Sequence, residues 1–314
     1  MLKKGNTMET GKLKNHICEY FVGKESVVED VLVCLLAGGH VLLEDVPGVG
    51  KTTLAKTLAK SLDCDFGRIQ FTPDTLPGDV TGTMIYNMKT GEFAYKEGSV
   101  MHQIVLADEI NRTSPKTQAS LLEAMEEGRV TVDGKTHELP KPFMVIATQN
   151  PVEFLGTYPL PEAQTDRFMM RLSIGYPSAE EERRLAANFL AGKVADKIES
   201  ICSTEDVLKM MEAVRAVHLS EGITQYIQEI TDITREEKKF MLGVSPRAML
   251  ALIRASQAHA YLEERDFVKP DDVKAVAVQV LHHRLSLTPE AVIQGEDVDK
   301  VLKALILKVP VPMK

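Results

Sequence analysis

Cysteine is scarce and dispersed in this 314-residue chain. Cys18, Cys34, Cys64 and Cys202 stand far apart, with no C-x-x-C pair among them. That spacing offers no metal-cluster pattern and fits reduced, mostly buried thiols. Basic charge is also in deficit: 37 Lys and Arg against 45 Asp and Glu give a formal net charge of −8. Such a balance argues against a generic nucleic-acid binder. Long apolar runs are missing too. The longest, residues 31–43, is broken by Gly38, Gly39 and His40 and is too short to span a bilayer. Residues 1–16 are polar and basic, without the apolar centre of a secretory signal. No internal repeat or low-complexity tract is visible. These absences point to a cytoplasmic protein without membrane insertion. Its ordinary globular composition, 44% apolar and 26% charged, suits one large or two ordinary domains.

What is present centres on residues 41–53. Val41, Leu42 and Leu43 make the short apolar run of a buried parallel strand. Pro47, Gly48 and Gly50 then break regular structure, and Leu54, Ala55, Leu58 and Leu62 recur at helical spacing. Strand, glycine-rich turn and helix in that order bring backbone N–H groups and a helix N-terminus around one point. That is a phosphate cradle made by Pro47, Gly48, Val49, Gly50, Lys51, Thr52 and Thr53. In it Lys51 reaches the β- and γ-phosphates and the Thr52 hydroxyl holds Mg²⁺. The strict pattern has glycine where this chain has Asp45, so the Asp45 carboxylate is expected to point away from phosphate. A Gly-Lys-Thr turn unrelated to phosphate is the bland alternative.

Further strands are expected at 68–71, 103–107, 143–148 and 170–174, with a helical stripe before the first strand at Val27, Val28, Val31, Leu32, Leu35 and Leu36. The run at 103–107 ends in Asp108 and Glu109, which places two carboxylates where ligands sit in open α/β sheets. Asp108 suits a Mg²⁺-linked role, and Glu109 suits polarisation of an attacking water. Asn150, after the next strand, either orients that water or caps the turn before Pro151. Two hairpins are expected, at 83–96 and, around Asp133-Gly134, at 129–139. Tyr86, Phe93 and Tyr95 of the first either cover one another or grip another chain. Ser114-Pro115 opens a helix that Gly128 ends, and residues 162–168 read as a short helix. Beyond Pro177 only helical stripes are visible, one opened by a Ser178/Glu181 capping box and another by Ser245-Pro246, with Arg247 in its first turn. The pattern divides into an α/β domain, 1–177, and a smaller helical one, 178–314. His282 and His283 are neighbours and cannot share a helix face, so they do not suggest a metal site.

Phosphate loop, Asp-Glu strand end, Asn strand end and two downstream arginines together resemble an AAA+ ATPase. The wording resembles the MoxR family more closely still: LEDVPGVGKT at 43–52, ADEINR at 107–112, ATQNP at 147–151, EAQTDRF at 162–168 and VSPRA at 244–248. The resemblance implies a P-loop core, a parallel five-stranded sheet with flanking helices, and a C-terminal all-helical lid. It implies Walker A roles for Lys51 and Thr52, Walker B roles for Asp108 and Glu109, and sensor 1 for Asn150. Arg167 matches the arginine finger and Arg247 sensor 2; the plainer readings are an intrachain salt bridge to Asp166 or a nearby acid, and a helix-surface arginine. The hairpins at about 80–97 and 129–139 match the helix-2 insert and the hairpin before sensor 1. The family implies ATP and Mg²⁺, a hexameric ring with sites between subunits, and separate partners with von Willebrand factor A domains in chaperone-like maturation of protein complexes. A nucleotide-gated scaffold with little turnover, and a chelatase- or DNA-linked motor of the same branch, are the alternatives. The acidic balance counts against the DNA version.

Overall fold

The structure, a computed structural model, describes residues 10–151, 156–193 and 197–312. The expectation for residues 1–16 falls partly outside these. Two helices, α1 (Thr10–Tyr20) and α2 (Glu25–Leu36), lead into strand β1 (Val41–Glu44), the phosphate-loop turn and α3 (Lys51–Ser61). Next come β2 (Phe66–Gln70), a short α4 (Pro77–Thr81), and the hairpin strands β3 (Gly82–Asn87) and β4 (Glu92–Glu97). They are followed by β5 (Ile104–Asp108), α5 (Pro115–Glu127), hairpin strands β6 (Arg129–Val132) and β7 (Lys135–Glu138), β8 (Met144–Gln149), α6 (Glu162–Thr165) and β9 (Met170–Leu172).

The main sheet has five strands in the order β2-β5-β8-β1-β9, and every adjacent pair is parallel. Its central strands are apolar on both faces because helices cover both. Leu42, Val105, Ala107, Val145 and Ala147 face a core completed by Leu121 and Leu122 of α5. Val41, Leu43, Ile104, Leu106, Met144 and Ile146 face the opposite way, into a larger core. The strand expected at 68–71 is Phe66–Gln70, set by its register with β5. Ser114 caps α5 by accepting from the Thr117 N–H, Pro115 takes the first turn, and Gly128 closes it at φ 64°. In the second hairpin Asp133 and Gly134 take φ 48° and 76°, as a tight turn matching strand twist requires. Tyr95 of the first hairpin stacks on His137 of the second, ring centroids 3.8 Å apart. Tyr86 and Phe93 pair across the first hairpin at 5.2 Å, yet both remain exposed.

The C-terminal region holds α7 (Ala179–Leu190), α8 (Thr204–Arg215), α9 (Glu221–Glu236), α10 (Pro246–Leu262), α11 (Pro270–Leu281), α12 (Pro289–Ile293) and α13 (Val298–Lys308). It is not all-helical as expected. Strand β10 (Phe240–Leu242) pairs antiparallel with β11 (Ser286–Leu287), each too short to leave an alternating pattern in the sequence. Ser178 and Glu181 form their capping box, but α7 buries none of its residues; Leu185, Phe189 and Leu190 are exposed. Apart from α12, the remaining helices merge with the core region. α2, β1, α8, α9, α10, α11 and α13 all contribute to the larger core.

An ion-pair cluster ties the lid helices to that core. Asp272, 1% exposed, accepts from Arg265, from His259 and from the Lys269 backbone N–H. Glu29 of α2 lies 3.7 Å from His259. Burial alone would raise the Asp272 pKa, but these donors outweigh it and hold the carboxyl well below the usual range. A depressed carboxylate pKa gives stability that is present above the unfolded value, near 4, and lost as pH falls. Asp272→Asn is therefore expected to lower unfolding free energy by about 3 kcal/mol at neutral pH. The loss should shrink as pH drops below about 4, as followed by urea melts across pH.

Candidate active site

The turn after β1 is built around Asp45. Its carboxylate is buried and faces away from the turn's interior, accepting from the Ile174 N–H at 2.7 Å and from the Gly175 N–H and Ser173 hydroxyl at 2.9 Å each. The acid that breaks the usual loop pattern thus fastens the loop to the segment after β9. Gly48 and Gly50 take φ 88° and 91°, conformations glycine adopts without strain. A Cβ on Gly48 would meet no heavy atom within 4 Å, so conformation rather than crowding makes the demand. Lys51 opens α3 and donates to the Asp45 carbonyl at 2.6 Å. Burial pulls its pKa below the usual value, while Asp45, Asp108 and Glu109 act against that shift. Thr52 and Thr53 stand in the same first helical turn, while Pro47 and Val49 belong to the loop before it.

The sheet order sets β5 and β1 on either side of β8, so their C-terminal ends open onto one rim. At that rim the Thr148 hydroxyl donates to Asp108 Oδ1 at 2.7 Å and accepts from the Glu109 N–H at 2.9 Å. Glu109 has φ 58°, an uncommon conformation for a residue with a side chain, and such outliers cluster at functional sites. Its Oε2 accepts from Gln70 Nε2 at 2.9 Å and lies 3.4 Å from Arg112 Nε. Arg68 Nη2 donates to Asp108 Oδ2 at 2.6 Å and to Gln70 Oε1 at 2.7 Å. Asn150 is buried directly beyond β8, beside this group in the chain's course. Thr52 and Asp108 offer hydroxyl and carboxylate oxygens, the hard donors Mg²⁺ prefers when substrate phosphates and water complete its shell.

Arg167 and Arg247 are elsewhere. Both pair with Glu126 at the end of α5, Arg167 at 2.8 Å. Arg167 also donates to the Leu122 carbonyl at 2.8 Å. Asp166, the neighbour considered as its partner, is instead taken by Arg284 at 2.7 Å. This group lies at the N-terminal end of the sheet. The Met169 N–H bonds the carbonyl of His40, the residue before β1, and the His40 ring bonds the Met125 carbonyl. Phosphate loop and arginine pair therefore leave opposite ends of the parallel β1/β9 pair.

A cavity of about 210 Å³ adjoins the phosphate loop, lined by Phe21, Val22, Gly48, Val49, Tyr176 and Leu185 among others. Sequence reasoning missed this apolar wall because its residues come from three distant segments. It also assigned nothing to Arg68, Gln70, Thr148 or Glu126. Arg68 and Gln70 were findable in part. They alternate with Gly67 and Ile69 at strand period, so they share one face next to the strand that ends in Asp108.

Residues 40–170 match the sequence profile of the ATPase family associated with various cellular activities (AAA), and residues 232–305 match the AAA lid domain. The chain is 51% identical over 304 residues to YeaC of Bacillus subtilis, an uncharacterised protein, covering 97% of this chain and 95% of that one. It is 41% identical over 300 residues to the chaperone MoxR1 of Mycobacterium tuberculosis, covering 93% of this chain and 79% of the relative. A solved structure from Cytophaga hutchinsonii, assigned as a candidate ATPase, superposes with a TM-score of 0.90 at 39% identity, covering 97% of this chain and 95% of that one. With the phosphate-loop turn, the paired acids and the lid helices in one chain, this protein belongs to the MoxR-type AAA+ ATPase family.

Proposed function

We propose that the chain hydrolyses ATP with Mg²⁺ at sites completed between copies of itself in a ring, and that turnover drives chaperone-like remodelling of protein complexes. One observation carries this reading: Lys51, Asp108 and Glu109 gather at one end of a parallel sheet while Arg167 and Arg247 gather at the other. β1 and β9 rise about 3.3 Å per residue, so even the short β1 sets the two groups more than about 10 Å apart. An arginine pair so placed serves a phosphate held by a neighbour. Lys51 and the α3 N-terminus would hold the β- and γ-phosphates, Gly48 to Gly50 would present backbone N–H groups while Pro47 shapes the turn before them, and Thr52 and Asp108 would hold the metal. Mg²⁺ bound there supplies offset of the charge developing on the phosphate oxygens. Glu109 takes the proton of the attacking water, Asn150 orients that water, and Thr53 supports the cradle. The wall of Phe21, Val22 and Tyr176 receives the base.

The boundary near Pro177, dividing 1–177 from 178–314, belongs to the same reading. It is supported by the change from sheet to helices after β9 and by the two profiles falling on either side. A hexameric ring, a separate partner with a von Willebrand factor A domain, a protein client and a cytoplasmic setting complete it. No helix among the described residues is long and apolar enough to cross a membrane.

Glu109→Gln is expected to retain ATP binding and to lower hydrolysis by at least about 10²-fold in a coupled phosphate-release assay. Retained turnover would mean that another group takes the proton. Arg167→Ala should lose about 10³-fold in hydrolysis at unchanged nucleotide affinity. Mixing it with Lys51→Ala, itself inactive through weak binding, should restore part of the activity, because each variant supplies what the other lacks. An absence of rescue counts against sites shared between copies. Turnover that no client or partner alters would favour a nucleotide-gated scaffold.

A further inference from the structure

Asp108 has two carboxylate oxygens, and both are engaged by side chains of neighbouring strands. Thr148 of β8 fills Oδ1 and Arg68 of β2 fills Oδ2, at 2.7 and 2.6 Å. The two contacts differ in kind. A hydroxyl is neutral and can rotate, so it tolerates a cation on the same carboxylate. The Arg68 guanidinium is a fixed positive charge in the space next to Oδ2. Its position is reinforced by Gln70, whose Oε1 accepts from the same Nη2 while its Nε2 donates to Glu109. Only that orientation of the amide matches a guanidinium on one side and a carboxylate on the other. Arg68 and Gln70 thus form a row on the outer face of β2 that reaches both acids.

We propose that Arg68 is a positioning residue that occupies the Asp108 carboxylate and makes the site select a divalent cation already chelated by nucleotide over the free cation. This rests on the proposed reading of Asp108 as a metal-holding acid. Two adjacent carboxylates without a counter-charge would repel each other and attract any divalent ion. With Arg68 beside Oδ2, a lone cation must approach a unit positive charge at close range, which even at the dielectric of water weakens binding by about tenfold. A metal arriving on a triphosphate brings the negative charge of the phosphates with it, so the complex as a whole is not repelled by the Arg68 guanidinium. Arg68 is about half exposed, so water screens its pairing with Asp108. For the same reason the ion pair contributes little to fold stability.

The full-length protein can be titrated with Mn²⁺ alone, reading the free ion by electron paramagnetic resonance, and then again with saturating ADP. Arg68→Gln is expected to bind Mn²⁺ alone about tenfold tighter than the unaltered chain, Arg68→Lys to stay within about threefold of it, and all three to converge when ADP is present. Arg68→Ala should repeat the gain, showing that loss of the charge and not the new amide is responsible. Adding Asp108→Asn to Arg68→Gln should abolish the gain. Equal Mn²⁺ affinity in the unaltered chain and both neutral variants would overturn the proposal, as would a gain that survives Asp108→Asn. If no form bound ADP with or without Mn²⁺, the reading of the whole site would fail instead, a result distinct from an Arg68 effect.

Discussion

Five strands that all run the same way impose a polarity on everything attached to them. Every loop leaving a strand emerges on one rim and every loop entering emerges on the other. The phosphate-loop turn, the Asp108–Glu109 pair and Asn150 all follow strands, so they share the first rim without any of them being near another in sequence. Arg167 precedes β9 and therefore stands on the second. An antiparallel sheet of the same residues would have scattered these groups over both rims. The register makes the separation firm: Val41 pairs with Met170 and Leu43 with Leu172, so β1 and β9 cannot slide without moving buried side chains out of the core.

Within that frame, charge is managed by cross-strand pairing. Asp45 is buried inside the loop that should attract anions, and three donors from residues 173–175 neutralise its cost there. His40, at the opposite end of β1, is buried. Burial pushes its pKa down to about 4, partly offset by its bond to the Met125 carbonyl, so at neutral pH it is an uncharged connector between β1, α5 and β8. Asp108 and Glu109 are held apart by Thr148, which bonds the side chain of one and the backbone of the other. The left-handed backbone at Glu109 turns its side chain away from Asp108 and toward Gln70.

The sheet, the phosphate-loop turn, both hairpins and the Asp-Glu strand end were legible because each rests on a local signal. Buried parallel strands read as apolar runs, Asp133-Gly134 dictates a tight turn, and Gly48 and Gly50 supply left-handed conformations. What was not legible depended on pairing at long range. The β10/β11 pair is too short to alternate, and only the register of Phe240 with Leu287 reveals it. The helix at Thr10–Tyr20 was hidden because its buried face, Thr10, Leu13 and Ile17, has only two apolar residues amid polar ones. Glu126 looked like any helix-surface acid. Its meaning comes from Arg167 and Arg247, which reach it from parts of the chain 41 and 121 residues away. The exposed apolar side of α7 likewise could not be told from a buried stripe, since periodicity reports amphipathicity and not what covers it.

The arginine group combines a fixed base with movable tips. Arg284, 3% exposed, pairs with Asp166 and donates to the carbonyls of Asp166, Phe168 and Val280, so the segment carrying Arg167 is bound to the lid through buried polar contacts. Breaking such a strut leaves an unpaired buried charge, which costs about 3–5 kcal/mol. The tips of Arg167 and Arg247 differ: they rest on a half-exposed Glu126, and an exposed ion pair contributes only about 0–1 kcal/mol. On the proposed reading, an anion of higher charge can draw both guanidiniums from Glu126 at small cost. The buried strut still holds the Arg167 segment to the lid during that exchange. In that exchange the tips change partner while the strut stays closed, a division of labour that rests on the difference in burial between Asp166 and Glu126.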